Sequence, residues 1–161
     1  MKKPEIQDEQ RLLAIFRALA KEGVEYAVVG AVALGLHGLA RATADLDLFL
    51  RPDADNVERL KAALRAVIED PSIDEISAED LCGAYPAVRY VPPDGFGVDL
   101  LTRLGDAFSY EELDIEERDY EGVPVKVVTA RTLWRMKRDT SRPTDRFDAE
   151  VLADRFGFRE D

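Results

Sequence analysis

Apolar and polar positions alternate along the chain with two periods, one typical of helices and the other of strands. Two amphipathic helices are predicted over Ile6–Glu22 and Asp55–Glu69, where apolar residues recur every three or four positions. The spacing of apolar residues and of capping or breaking residues predicts four shorter helices. They span Ala31–His37, Glu75–Gly83, 129–137 (capped by Thr129) and Pro143–Arg155.

Strands are predicted where short apolar or alternating runs are bounded by turn residues. They span Tyr26–Gly30, Asp45–Leu50, Ala87–Val91, Phe96–Leu101, Arg118–Tyr120 and Val123–Val128. This mixed order of helices and strands predicts an α/β or α+β fold, with one sheet covered by helices and a helical segment at the C-terminus. No repeat or linker divides the sequence. We therefore expect one domain over residues 1–161, with its core at about 24–128 and the C-terminal helices at about 129–158.

The charge is uneven along the 161 residues. With 22 Lys and Arg against 33 Asp and Glu, the net charge is −11, which opposes a role in coating duplex DNA. The segment Lys126–Arg146 nevertheless holds seven basic and two acidic residues, so it carries +5 and the rest of the chain −16. Such a basic face suits a defined phosphate site better than a polyanion track. A solvated pair of helices is the alternative interpretation.

Cysteine and histidine usage excludes several kinds of site. The single Cys82 excludes an intramolecular disulfide and a cysteine-based zinc site, and we expect it to be a small buried residue. The lone His37 excludes a multi-histidine metal site and is expected to be structural. The longest apolar stretch, Tyr26–Leu36, is too short to cross a bilayer, and residues 1–10 have no signal-peptide core. These features predict a cytoplasmic protein without membrane contact.

Three carboxylates carry the strongest chemical signal. Asp45 and Asp47 stand two apart on a predicted strand, so both side chains point to one face. Adjacent carboxylates repel each other unless a cation neutralises them, and Mg²⁺ prefers such oxygen ligands. Asp99 is a lone acid in an apolar run, which requires a partner. If the two strands are neighbours, the three acids converge into a site for two metal ions and a nucleoside triphosphate, suited to nucleotidyl transfer.

A family resemblance covers about residues 25–152. The segment Val28–Leu48 resembles the signature of minimal nucleotidyltransferases of the DNA polymerase β superfamily. That signature is a hydrophobic residue followed by Gly-Gly or Gly-Ser, about a dozen residues and then Asp-x-Asp. The Arg-x-Thr-x-Asp-x-Asp motif ending at Asp47 is similar to that of the AbiEii-like toxin group, and residues 128–152 resemble the end of that group. The resemblance implies a mixed sheet covered by helices.

The resemblance also implies roles for individual residues. Asp45 and Asp47 match the metal-binding pair, and Asp99 matches the third acid, a metal ligand that would also activate the acceptor hydroxyl. Two Mg²⁺ ions and a nucleoside triphosphate are the implied cofactor and substrate. Gly30 matches the glycine of the phosphate loop, and this strand–glycine–helix junction offers backbone N–H groups to phosphate.

Further residues are expected around the nucleotide. Lys137 and Asp145 match polar positions near the nucleotide in AbiEii-like enzymes. Arg41, Thr43 and Arg142 are expected to contact or neutralise phosphate, although Thr43 could simply cap a turn. Ala31 departs from the pattern, because the family has a second glycine or a serine there. Alanine keeps the backbone N–H but adds a methyl group near the phosphate.

The leading hypothesis is a magnesium-dependent enzyme that moves a nucleoside monophosphate from a triphosphate to an acceptor hydroxyl. AbiEii-like relatives imply an RNA acceptor, such as a tRNA end, in a toxin–antitoxin setting with a cognate antitoxin or toxin. Other branches of the superfamily modify a partner protein, by AMPylation in an antitoxin role, or small molecules such as aminoglycosides. The non-enzymatic alternative is a catalytically degenerate binding module, which Ala31 favours.

Overall fold

A six-stranded mixed sheet organises the structure, a computed structural model that describes residues 4–39, 45–93 and 95–159. In chain order the strands are β1 (Tyr26–Val29), β2 (Asp45–Leu50), β3 (Ala87–Tyr90), β4 (Gly97–Leu101), β5 (Arg103–Leu104), β6 (Phe108–Ser109), β7 (Ile115–Tyr120) and β8 (Val123–Val128). The main sheet has the order β3-β4-β2-β1-β8-β7, and β5 pairs with β6 in a separate hairpin. The predicted fold class is therefore confirmed.

The centre of the sheet combines parallel and antiparallel pairs. Strand β1 runs antiparallel to β2 and parallel to β8, while β2 runs parallel to β4. In β2 the apolar side chains of Leu46 and Leu48 are fully buried, and Val98 and Leu100 are buried beside them in β4. These central strands are rich in branched apolar residues because both faces of a covered sheet need them. They fix the position of the polar residues that alternate with them.

Six α-helices accompany the sheet in the described part of the chain. They are α1 (Pro4–Glu22), α2 (Gly30–Leu36), α3 (Ala54–Val67), α4 (Ala78–Leu81), α5 (Ala130–Arg138) and α6 (Pro143–Phe156). Helix α1 packs on α3 and β8, α5 packs on α6, and α2 contacts β1, β2 and α5. Within the described ranges no helix is both long and apolar enough to span a membrane.

Some predicted elements differ from the observed ones. The predicted helix at 75–83 is the single turn α4, preceded by a 3₁₀ helix at Pro71–Glu75 that Asp70 caps. Strand β7 begins three residues earlier than predicted, because charged residues occupy most of it and hide the strand pattern. The β5–β6 hairpin was not predicted, since two-residue strands leave no periodicity. The prediction that Cys82 is buried was wrong, because it caps the end of α4 and is exposed.

Two buried polar side chains connect these elements. His37 is buried, and its Nε2 lies 2.8 Å from the Val128 carbonyl oxygen, so the expected structural role is confirmed. Asn56 is buried at the start of α3, where its Oδ1 accepts a 2.7 Å hydrogen bond from the Glu25 N–H. Its Nδ2 donates to the carbonyl oxygens of Glu25, at 2.8 Å, and Arg51, at 3.1 Å. Asn56 thereby joins the start of β1 to the end of β2.

We predict that Asn56→Ala lowers the free energy of unfolding by roughly 2–3 kcal/mol, because it leaves buried backbone groups without partners. Urea denaturation followed by circular dichroism measures the change. Arg59→Ala, an exposed change in the same helix, is the matched control and should stay within about 0.5 kcal/mol of wild type. Equal stability of the two variants would contradict the role given to Asn56.

Candidate active site

The three predicted acids lie on two neighbouring strands. Asp45 and Asp47 alternate along β2 with the buried leucines, so they share the opposite face. Strand β4 runs parallel to β2 with Asp99 aligned to Asp47, and Gly97 aligned to Asp45. Aligned residues of paired strands point to the same side, so the sheet brings the three carboxylates together. The condition stated from the sequence, that the two strands are neighbours, is met.

Gly30 allows the Asp47 carboxylate to approach the backbone between β1 and α2. Its φ angle is +72°, in the region that favours glycine. A Cβ atom on Gly30 would lie only 1.9 Å from Asp47 Oδ2 and 2.8 Å from Asp47 Cγ. The glycine at this junction is therefore required for two reasons, the backbone conformation and the space that the carboxylate occupies.

Asp47 is the most electrostatically strained of the acids. The pKa of Asp47 is raised to about 7, with burial as the largest cause and a hydrogen bond to Asp99 as the next. The negative charges of Asp99 and Asp45 act in the same direction, and the ammonium group of Lys137 opposes them. The pKa of Asp47 is thus raised because negative charges are concentrated in a partly dehydrated cleft. Such a cleft favours a bound cation or a shared proton.

Arg89 is a site residue that the sequence analysis missed. It lies on β3 directly opposite Asp99, and its guanidinium spans two acids. Nη1 donates to the two carboxylate oxygens of Asp99 at 3.1 and 3.0 Å, and Nη2 to those of Asp45 at 3.2 and 3.2 Å. An arginine in a short predicted strand gives no sequence signal that it belongs to a site. Only the register between β3 and β4 identifies it.

A second cationic group comes from the C-terminal helices. Lys137 of α5 is nine-tenths buried, and its Nζ donates to Asp145 Oδ1 at 3.1 Å and to Asp148 Oδ2 at 3.2 Å. Asp145 and Asp148 lie three residues apart on one face of α6. Arg142 Nε is 3.8 Å from Asp145 Oδ2. A lysine ammonium has three donors, and the two ion pairs seen within the described residues use two of them.

These groups line one cleft of about 590 Å³. Eight of the ten predicted site residues contribute to it: Gly30, Ala31, Asp45, Asp47, Asp99, Lys137, Arg142 and Asp145. Arg89, Asp148, Thr140 and Thr144 line it as well. The predicted phosphate contacts Arg41 and Thr43 lie outside the described residues. The cleft is thus built from the sheet, from the start of α2 and from α5–α6.

The donor set of the cleft suits a hard divalent cation. Asp45, Asp47 and Asp99 supply only carboxylate oxygens, which are the ligands that Mg²⁺ prefers. As the side chains lie, however, no three acidic, histidine or cysteine residues within the described ranges are grouped as a metal site. The guanidinium of Arg89 lies between two of these acids, Asp45 and Asp99. The three carboxylates are therefore suitable ligands for a metal ion, and Arg89 forms ion pairs with two of them.

Comparison with known proteins gives one family and a group of similar folds. The sequence profile described as "Nucleotidyl transferase AbiEii toxin, Type IV TA system" matches residues 11–160. No curated protein is significantly similar in sequence. A candidate nucleotidyltransferase of Thermotoga maritima, TM1012, superposes with a TM-score of 0.58 at 16% identity, over 99% of this chain and 97% of its own.

Two further crystal structures share the fold. ANT(2″)-Ia, solved with adenylyl-2″-tobramycin, superposes with a TM-score of 0.57 at 14% identity, over 94% of this chain and 90% of its own. JHP933 of Helicobacter pylori gives a TM-score of 0.54 at 18% identity, over 97% of this chain and 68% of its own. At sequence identities this low, the three structural similarities show a shared fold and nothing more.

We predict that Gly30→Ala lowers the free energy of unfolding by roughly 2–4 kcal/mol, because the methyl group meets Asp47 and the backbone is left strained. Gly35→Ala, in the same helix, is the matched control: an added Cβ there meets nothing within 4 Å. It should be neutral or stabilising by up to about 1 kcal/mol. Thermal unfolding of both variants measures the difference. A tolerated Gly30→Ala would contradict the described packing.

We predict that Asp47→Asn stabilises the metal-free protein, by roughly 1–3 kcal/mol at pH 8, because it removes a buried, repelled charge. The pKa of Asp47 is raised when the protein folds, so its proton stabilises the wild type at low pH. This contribution is lost as pH rises through about 7. The gain should therefore be smaller at pH 5 than at pH 8.

The matched control is Asp154→Asn, the same change at an exposed position on α6, which should stay within about 0.5 kcal/mol at both pH values. Chemical denaturation in the presence of EDTA compares each of the two variants with wild type at pH 5 and at pH 8. A gain that is absent, or independent of pH, would show that Asp47 is not under electrostatic strain.

Proposed function

The chain belongs to the AbiEii family of nucleotidyltransferase toxins of type IV toxin–antitoxin systems, and we propose that it transfers a nucleoside monophosphate from a triphosphate to the end of an RNA, with Mg²⁺. The observation that carries this proposal is the cleft itself. It combines three carboxylates on two aligned strands with a glycine junction and a buried lysine. The family implies a nucleoside triphosphate as substrate and an antitoxin as partner.

The nucleotide phosphates would lie between the start of α2 and α5. Gly30 and Ala31 line this side of the cleft and carry backbone N–H groups of the first helical turn, which have no partner within the helix. Ala31 supplies such a group as well as glycine would. Across the cleft, the third donor of Lys137 and the exposed guanidinium of Arg142 would neutralise phosphate charge. Arg41 and Thr43 are proposed to add phosphate contacts from residues 40–44.

The acids would serve the metal and the acceptor. Asp45, Asp47 and Asp99 would hold Mg²⁺, and we propose two ions for a site of this type. When bound, Mg²⁺ would neutralise the triphosphate and favour departure of pyrophosphate. In the reaction the acceptor oxygen forms a bond to the α-phosphorus, and the bond from phosphorus to pyrophosphate breaks. Asp99 would take the hydroxyl proton on its carboxylate, as a general base.

An RNA acceptor is supported by the charge of the C-terminal helices. Four arginines on and between α5 and α6 are exposed: Arg131, Arg135, Arg142 and Arg146. Arg142 also lines the cleft, so the basic surface continues into the site of reaction. Phosphate groups of a bound RNA would find these charges on a protein that is otherwise strongly acidic. A tRNA end is the form of RNA we propose. A reaction that consumes nucleoside triphosphates supports a cytoplasmic location.

The main alternative is a module that binds nucleotide without transferring it. The methyl group that Ala31 adds near the phosphate and the Arg89 guanidinium between two of the acids favour it. Retention of all three carboxylates and of a buried Lys137 favours the enzyme. A protein acceptor, as in an antitoxin-type reaction, is a further alternative. It is distinguished from an RNA acceptor by whether the transferred nucleotide is found on protein or on RNA.

We predict that purified protein, total tRNA, Mg²⁺ and one of four α-³²P-labelled nucleoside triphosphates give labelled RNA. Asp99→Asn should lower the rate roughly 10²-fold or more, because the general base is lost. Asp47→Asn should abolish transfer while the protein remains folded, and EDTA should do the same to wild type. Gel electrophoresis of the RNA and of the protein measures the label.

Asp154→Asn, which lies away from the cleft, is the control and should transfer label like wild type. Label on a partner protein instead of RNA would replace the RNA acceptor by a protein. Nucleotide binding without transfer to any acceptor would favour the binding module. Transfer retained in Asp47→Asn would overturn the assignment of the site.

A further inference from the structure

The guanidinium of Arg89 occupies the carboxylates that a metal ion would use. Each of its two terminal nitrogens faces both oxygens of one acid, Asp99 for Nη1 and Asp45 for Nη2, at 3.0 to 3.2 Å. The guanidinium therefore divides its donors between two acids, in place of the fork in which two nitrogens bind one carboxylate. One cation therefore already bridges two strands of the site.

The position of the Arg89 guanidinium depends on the absence of a side chain at Gly97. Gly97 is aligned with Asp45 across the β2–β4 pair. A Cβ atom on Gly97 would lie 2.6 Å from Asp45 Oδ1 and 3.2 Å from Arg89 Nη2. Any other residue at this position would force the carboxylate, the guanidinium or both to move. The glycine leaves room for the Asp45–Arg89 ion pair at the edge of the cleft.

A guanidinium in this position competes with a divalent cation for these oxygens. Mg²⁺ binds carboxylate oxygens at about 2.1 Å and tolerates little departure from octahedral geometry. The guanidinium directs its N–H groups at the same lone pairs from about 3 Å, and its positive charge repels a second cation close by. Loading of metal on Asp45 and Asp99 therefore requires that Arg89 leave them.

Arg89 is placed so that it can leave. Strand β3 is an edge strand of the sheet, and the side chain of Arg89 is 54% exposed. Its departure would open no cavity in the core, and ion pairs this exposed contribute little to stability. Asp45 and Asp99 remain on the same face of the sheet without it, because the register of two central strands places them there.

We propose that Arg89 is a displaceable internal cation, which holds Asp45 and Asp99 until a divalent metal ion replaces it and so sets the metal concentration at which the site loads. This inference rests on the proposed metal-dependent function. It separates two roles for the arginine. A clamp that positions the acids for the metal would make binding weaker when it is removed, whereas a competitor would make binding tighter.

The test is titration of the full chain with Mn²⁺ and with Mg²⁺, without nucleotide, by isothermal calorimetry. Arg89→Gln should bind metal at least about fivefold more tightly than wild type. Arg89→Lys keeps the charge but cannot fork to both acids, so its affinity should fall between the two. Arg51→Gln is the control, since it removes one exposed guanidinium paired with Glu25 at the far end of β2, and should bind like wild type within about twofold.

A second measurement follows Arg89 in the wild type itself and uses Arg89→Gln only to assign a resonance. The Arg89 Nε–Hε resonance, assigned by its absence from Arg89→Gln, should move toward the position of a free arginine as Mg²⁺ saturates. Unchanged or weaker metal binding by Arg89→Gln, or a resonance that does not respond to bound metal, would overturn the inference and leave the metal site standing. Absence of metal binding by all the variants and by wild type would overturn both the inference and the metal-dependent function.

Discussion

The repulsion among carboxylates on two neighbouring strands is the constraint around which the cleft is built. The parallel register of β2 and β4 places Asp47 beside Asp99, with Asp45 on the same face. Buried leucines on the other face of β2 hold this register, because a slip by one residue would exchange the acids with the core. The packing of the sheet thus maintains a concentration of negative charge that is unfavourable by itself.

Each surrounding feature offsets that charge or makes room for it. Gly30 and Gly97 lack the side chains that would collide with the carboxylates of Asp47 and Asp45. Arg89 neutralises one side of the group from an edge strand, and Lys137 acts on Asp47 from a helix. A site that concentrates negative charge in this way is stabilised by cations.

The C-terminal helices are part of this site rather than an addition to the sheet. Lys137 is buried only because Asp145 and Asp148 on α6 supply two oxygens to its ammonium group, so α5 and α6 position it together. The α5–α6 pair also carries exposed arginines on its outer surface. One helical unit therefore provides a fixed cation inside the cleft and a basic surface outside it.

The sequence by itself determined the fold class, most helices and strands, and eight residues of the cleft. Alternation on a strand fixes which side chains share a face, as for Asp45 with Asp47. The family resemblance, and not periodicity, pointed to Lys137 and Asp145. Arg89 as a partner of the acids, the brevity of α4 and the exposure of Cys82 were decided by the tertiary structure. Strand pairing between β3 and β4 depends on contacts among residues distant in the chain, and no local pattern encodes it. The charge balance of the cleft is set by those contacts, so only the folded chain reveals that one guanidinium bridges Asp45 and Asp99.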